Sequence, residues 1–276
     1  MNYIMVSNII YCVLAAIFGT VIGSFMNVVI YRIPEGRTIV KGHSMCMSCG
    51  HELGALDLVP VFSWLFLGGK CRYCKAPVSS RYIKIETFTG LTFLIYAITH
   101  TSFFPDILNP TEAWAIAGLI YICVISILMA TLIASMMIYH DTKKSFYGFT
   151  IVVACAALIT TIVFCIVDNV SGQLLHLLRS ALIAPAIVGV IALICFIFKK
   201  KYTQTDFWLD LPFAFFYSYF GKSIIDYKFI FPAAAVLFVL PRIITKDSKK
   251  DKYTAIVSMV GILVFIIVGF IFNKFI

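Results

Sequence analysis

Four of the nine cysteines stand as two Cys-x2-Cys pairs, Cys46–Cys49 and Cys71–Cys74, separated by 21 residues. A tight turn around each pair presents two thiolates to one side, and two such turns close a tetrahedron, the ligand pattern of zinc. Four thiolates fill the coordination shell and leave no place for water. The metal expected here is therefore structural, stapling a loop too small to bury a core of its own. Redox-active Cys-x2-Cys pairs are the competing reading, and two pairs in one short loop favour metal. The remaining cysteines, Cys12, Cys123, Cys155, Cys165 and Cys195, sit in apolar runs and read as small packed hydrophobes.

Two carboxylates could carry the other chemistry. Asp141 follows the apolar run ending in MMIYH, and Asp206 follows KKKYTQT and precedes FWL. Two carboxylates held together in a partly desolvated site cannot both ionise easily, so one retains a proton. The ionised member takes a proton from water, the protonated one donates to a carbonyl oxygen, and the pair titrates as a unit. That is the requirement for aspartic peptide hydrolysis. Each residue taken alone also has an ordinary reading: TQTD suits a helix N-cap, and an Asp before two lysines suits an interfacial turn. His140, beside Asp141, reads as an amphipathic interfacial side chain and is given no role.

The elements that must position these groups are set by composition. The 276 residues are 61% hydrophobic and 13% charged. A soluble domain carries roughly 25% charged residues, so the surrounding solvent is lipid for most of this chain. Apolar segments at 4–31, 86–104, 114–139, 146–167, 177–198, 207–220, 229–245 and 254–272 give about eight transmembrane helices. The first segment lacks a basic n-region and a small-residue cleavage site, and is expected to be a retained helix. The fold class expected is an all-α polytopic membrane protein with a small cytoplasmic zinc-ribbon-like insertion between helices one and two. Its divisions are 1–31, the first helix; 32–85, the zinc-binding loop; and 86–276, a membrane domain of about seven helices.

Charge orients the chain. With the N-terminus outside, eighteen of the 22 Lys and Arg fall on the inner side. Eight lie between Arg32 and Lys84, two at Lys143 and Lys144, three at Lys199 to Lys201, and five from Arg242 to Lys252. Only Arg179, Lys222, Lys228 and Lys274 lie outside, a strong positive-inside bias. The net charge of +9 thus reports topology, not nucleic-acid binding, for which a basic patch interleaved with aromatics on a soluble domain is missing. KDSKKDK at 246–252 reads as a charged connector touching lipid headgroups. Trp64, Trp114 and Trp208 fall near predicted boundaries, as an aromatic belt requires. One hairpin separates Asp141 from Asp206, which puts both at the same membrane face.

The stretch GSFMNVVIYRIP at 23–34, then CMSCG, then DLVPVFSWLFLGGKCRYCKAPVSSRYIKIETFTG at 57–90 resembles the N-terminal third of type IV prepilin peptidases. The eight-span layout is similar along the whole chain. That resemblance implies an intramembrane aspartic endopeptidase of the prokaryotic cytoplasmic membrane that removes the leaders of type IV prepilins or pseudopilins at the cytoplasmic face. It implies a first catalytic aspartate at Asp141, in IYHDTKK. The second stands in a Gly-x-Gly-Asp-x-Lys pattern in that family; here Asp206 follows Thr203, Gln204 and Thr205, with Trp208 in place of the lysine. Asp210, one turn further, and Asp226, in SIIDYK, are the ranked alternatives. The resemblance also implies N-methylation of the new N-terminus with S-adenosylmethionine, and links Glu86 and Gly90 to it; Glu86 also reads simply as a charge in the first turn of a helix. The partners implied are prepilin substrates and membrane lipid. The rival readings are a family member that has lost proteolysis and a non-catalytic membrane scaffold with the same zinc loop.

Overall fold

A computed structural model describes residues 3–99, 113–167, 170–198, 203–220 and 260. They form α1 (Tyr3–Arg32), a 3-10 turn (Ala55–Asp57), α2 (Phe62–Phe66), α3 (Arg81–Thr99), α4 (Ala113–Thr142), α5 (Tyr147–Val167), α6 (Val170–Ile197) and α7 (Gln204–Phe220). The chain divides into two compact units, Met1–Ile98 and Thr99–Ile276. Four helical stretches are long and apolar enough to cross a bilayer: Met5–Arg32, Ile120–Thr142, Tyr147–Ile166 and Gly172–Ile197. The segments 86–104 and 207–220 correspond to the shorter α3 and α7, while 229–245, 254–272 and Asp226 lie outside the described residues.

In the first unit α1 and α3 cross at glycines. A Cβ on Gly23 would meet the Glu86 Cα at 2.8 Å, and one on Gly90 would meet Thr20 Cγ2 at 2.6 Å. Small residues let two helix backbones approach where lipid supplies no hydrophobic drive between them. Hydroxyls inside the helices return to their own carbonyls, as Thr89 to Ile85 at 2.8 Å and Thr92 to Phe88 at 2.8 Å, which satisfies them without water. At the end of α1, Arg32 donates to the carbonyls of Thr38, Lys41, Gly42 and His43 and folds the following loop back on the helix terminus. A cation in that position also suits the helix dipole.

In the second unit α4 packs on α5 and α7, and α5, α6 and α7 pack on one another. The spanning stretch of α4 is 61% buried, against 28% for α5 and 33% for α6, so α4 is the most enclosed of these helices. Leu128, Leu132, Ile133, Met136 and Ile138 of α4 and Leu209 and Phe213 of α7 are all fully buried. α4 stops where Lys143 turns to φ 57° and its N–H closes on the Tyr139 carbonyl at 2.9 Å, a left-handed C-terminal cap. Because α5 and α6 form a hairpin, α7 starts at the end of the bundle where α4 finishes.

Candidate active site and metal centre

The two Cys-x2-Cys segments fold alike. The Cys46 N–H bonds the His51 carbonyl at 2.9 Å, and the Cys71 N–H bonds the Ala76 carbonyl at 2.8 Å. Single β-bridges flank them, Met45 to Glu52 and Lys70 to Pro77. The residue after the second cysteine is left-handed in both, Gly50 at φ 70° and Lys75 at φ 61°. The rings of His51 and Tyr73, one from each turn, lie 3.6 Å apart.

The four Sγ atoms lie within 4.8 Å of one another, and Cys46 Sγ and Cys74 Sγ are 3.8 Å apart. Thiolates about 2.3 Å from a tetrahedral zinc stand about 3.8 Å from each other, so this donor set fits zinc. Backbone N–H groups of Cys49 and then Ser48 hold the Cys46 thiol below its ordinary range, which favours a thiolate there, while at Cys74 the Ala76 N–H is outweighed by burial and the neighbouring thiols, which push that thiol up.

Asp57 ties the 3-10 turn to the second cysteine turn. It pairs with Arg72 Nε, accepts from Tyr73 Oη at 3.3 Å and caps the Gly54 N–H at 3.2 Å. The Arg72 hydrogen bond holds its carboxyl below the ordinary value. A depressed folded-state value stabilises above the unfolded carboxyl range, about pH 4, and the contribution is lost as pH falls through the folded value. The protection of residues 54–73, their exchange relative to an unstructured chain at the same pH, is therefore expected to fall in the wild type as pH drops below about 4. Asp57→Asn should exchange faster already at neutral pH; identical protection in the two proteins at pH 7 would contradict this.

A cavity of about 560 Å3 opens between the end of α1, the cysteine loop and the start of α3. Tyr31, Trp64, Tyr82 and Glu86 line it together with Cys46 and Cys71; Gly90 does not. Glu86 is buried, and its Oε2 accepts the Val61 N–H at 2.7 Å. Val61 has φ 64° and ψ −53°, and the Phe62 N–H closes on the Pro60 carbonyl at 2.6 Å around it. That is a strained turn for a β-branched residue, and the Glu86 bond holds it. Gly90 instead occupies the crossing of α3 with α1, one turn on from Glu86.

At the far end of the chain's chemistry, Asp141 closes α4 and Asp206 opens α7. The two helix ends meet. Tyr139 Oη donates to Asp206 Oδ1 at 2.9 Å, and Ser145 Oγ donates to the Thr205 carbonyl at 2.6 Å. Asp141 lies between these two contact points in the chain. Its Oδ1 is 3.1 Å from His140 Nδ1, and its side chain is 25% exposed. Asp206 is 1% exposed, and its Oδ2 accepts from the Thr203 N–H at 2.8 Å and from Thr203 Oγ1 at 2.7 Å. Thr203 and Asp206 thus form a capping box, the ordinary reading of TQTD, and Asp206 also bonds across to α4. Asp210 is fully buried one turn further along α7. Sequence reasoning missed Tyr139, Ser145 and the Thr203 hydroxyl. Only the T-x-x-D spacing signalled any of them.

Residues 17–100 match the family model of the bacterial peptidase A24 N-terminal domain, nearly the extent of the first unit. A prepilin leader peptidase/N-methyltransferase of Myxococcus xanthus is 43% identical over 84 residues, which are 30% of this chain and 25% of that one. One from Vibrio cholerae is 39% identical over 97 residues, 32% of this chain and 38% of that one. The type 4 prepilin-like proteins leader peptide-processing enzyme of Escherichia coli O78:H11 is 33% identical over 147 residues, 47% of this chain and 49% of that one. The matched part therefore spans half or less of each relative. No solved structure matches. The resemblance to type IV prepilin peptidases is borne out by these matches.

Proposed function

We propose that this chain, whose first unit matches the A24 N-terminal domain, is an intramembrane aspartic endopeptidase that removes leader peptides from type IV prepilin-like proteins. One observation carries the assignment of its centre: the Tyr139–Asp206 hydrogen bond joins the end of α4 to the start of α7, the two places where the acids stand. In this reading Asp141 and Asp206 work across that contact at the cytoplasmic membrane face. One carboxylate, ionised, takes a proton from water as the water oxygen attacks the scissile carbonyl. The other, protonated, donates to the carbonyl oxygen, and the returning proton leaves with the amine. The substrate would be a helix with a short basic leader, entering N-terminus inward and packing among the spans. The test is a series of Asn substitutions at Asp141, Asp206, Asp210 and Asp226, read as leader cleavage. A second reading, a chain that has lost proteolysis, is favoured by the capping box that already employs Asp206. Wild type that cleaves no prepilin in that assay would select it.

The same reading places zinc at the four cysteines and the methyl donor, S-adenosylmethionine, in the cavity of the first unit. Its volume falls in the range of about 300–1,000 Å3 that small-molecule sites occupy, and its aromatic walls and buried acid suit a cationic nucleoside. The donor would supply an activated methyl group. Glu86 would hold a cationic end of the donor or the new N-terminal amine, and Gly90 would let α3 approach α1 closely enough to set Glu86 there. Glu86→Gln is expected to lower methylation of processed product by about 10- to 100-fold with leader cleavage retained. Mass spectrometry of the product N-terminus reads this, and full methylation by the variant would remove Glu86 from the role.

A further inference from the structure

Asp206 is held from two directions by groups that no part of the chemistry above employs. Oδ1 receives the Tyr139 hydroxyl from α4, and Oδ2 receives both the N–H and the hydroxyl of Thr203 from the start of α7. We infer that Tyr139 and Thr203 are positioning residues that fix the plane of the Asp206 carboxylate for peptide hydrolysis. This rests on the proposed role of Asp206.

A helix cap needs only Thr203. Tyr139 comes from another helix, is itself buried, and spends its hydroxyl on the one oxygen that the cap leaves to other donors. The two contacts therefore oppose rotation of the carboxylate about its Cβ–Cγ bond from both sides. The clamp is braced in turn. The Thr203 and Thr205 hydroxyls are 2.7 Å apart, and the Thr205 carbonyl is tied to Ser145, so the loop before α7 keeps its register on the end of α4. Orientation of this kind counts because a base misplaced by about 1 Å can cost on the order of a hundredfold in rate.

The experiment uses the purified full-length protein in liposomes, a prepilin substrate, and separate measurement of kcat, KM and melting temperature. Tyr139→Phe and Thr203→Val, each a near-isosteric loss of one hydroxyl, are expected to lower kcat by about 10- to 100-fold with KM within about twofold. Thr203→Ser, which keeps the hydroxyl, should restore most of the kcat that Thr203→Val loses. Asp206→Asn is the control for the underlying reading. If Asp206→Asn abolishes cleavage yet melts within a few degrees of wild type, while Tyr139→Phe and Thr203→Val turn over like wild type, the clamp is refuted and the catalytic aspartate stands. If the kcat losses merely track melting temperature, or Thr203→Ser restores nothing, the residues only cap the helix and the inference fails. If Asp206→Asn cleaves normally, the assignment of Asp206 falls and the clamp falls with it.

Discussion

Asp141→Asn and Asp206→Asn are each expected to reduce leader cleavage by at least about 10^4-fold, because groups that act as one catalytic unit fail together. Their stabilities should differ, and the difference separates chemistry from folding. Asp141 stands at the rim with a quarter of its side chain exposed, so an amide there finds water and costs little. Asp206 is enclosed by three donor contacts. An Asn keeps one acceptor oxygen and turns its NH2 toward a donor, which costs about 1–3 kcal/mol for the unmet group. An inactive Asp141→Asn with wild-type melting temperature would thus argue for chemistry, and an inactive Asp206→Asn alone would not. The double variant should be no slower than either single one. Processing of prepilin by Asp206→Asn, with loss in Asp210→Asn or Asp226→Asn, would move the second carboxylate to that position.

The second large effect concerns the cysteine loop. Between residues 33 and 80 only Gly69 and Cys71 are buried, so this stretch has almost no apolar core to fold around. Whatever fixes it must come from hydrogen bonds, the Asp57–Arg72 pair and the four thiolates. Structural zinc contributes on the order of 10 kcal/mol in small domains, far more than the partly exposed Asp57–Arg72 pair. Replacing Cys46 and Cys49 with Ser should therefore remove one bound zinc per chain and open residues 33–80 to protease. The cavity should go with them, since Cys46, Cys71 and Trp64 form part of its wall. Methyl transfer is expected to fall below detection, with a smaller loss of leader cleavage. Metal analysis that finds purified wild type without zinc, and its loop still protected, would defeat this account.

How much of this was legible in the chain depends on the range of the interactions concerned. The cysteine cluster was readable because its four thiols lie in two short turns, and the geometry of a Cys-x2-Cys turn is a local property of the backbone. Four of the expected spans were readable as helices among the described residues, because hydrophobic runs of that length have one outcome in lipid. Asp206 as a helix cap was readable too, since T-x-x-D is a local pattern. The Tyr139–Asp206 bond was not, because it joins side chains 67 residues apart. Nothing in IYHD announces which of its polar groups turns inward, and the packing of α4 on α7 decides that. Glu86 shows the same limit. The sequence suggested a charge in the first turn of a helix, but α3 begins at Arg81 and carries Glu86 a turn further in, and only the fold brings the strained Val61 turn over it.

The sequence by itself determined the long apolar helices, the four-cysteine cluster and the presence of an acid at the end of one helix and the start of another. Those follow from composition, turn spacing and hydrophobic periodicity, which act over a few residues. The tertiary structure alone decided which hydroxyls hold Asp206, that Gly90 serves a helix crossing, and that Glu86 looks into a cavity beside the cysteines. Those are outcomes of close packing between distant segments, where a contact exists only once both surfaces have been placed.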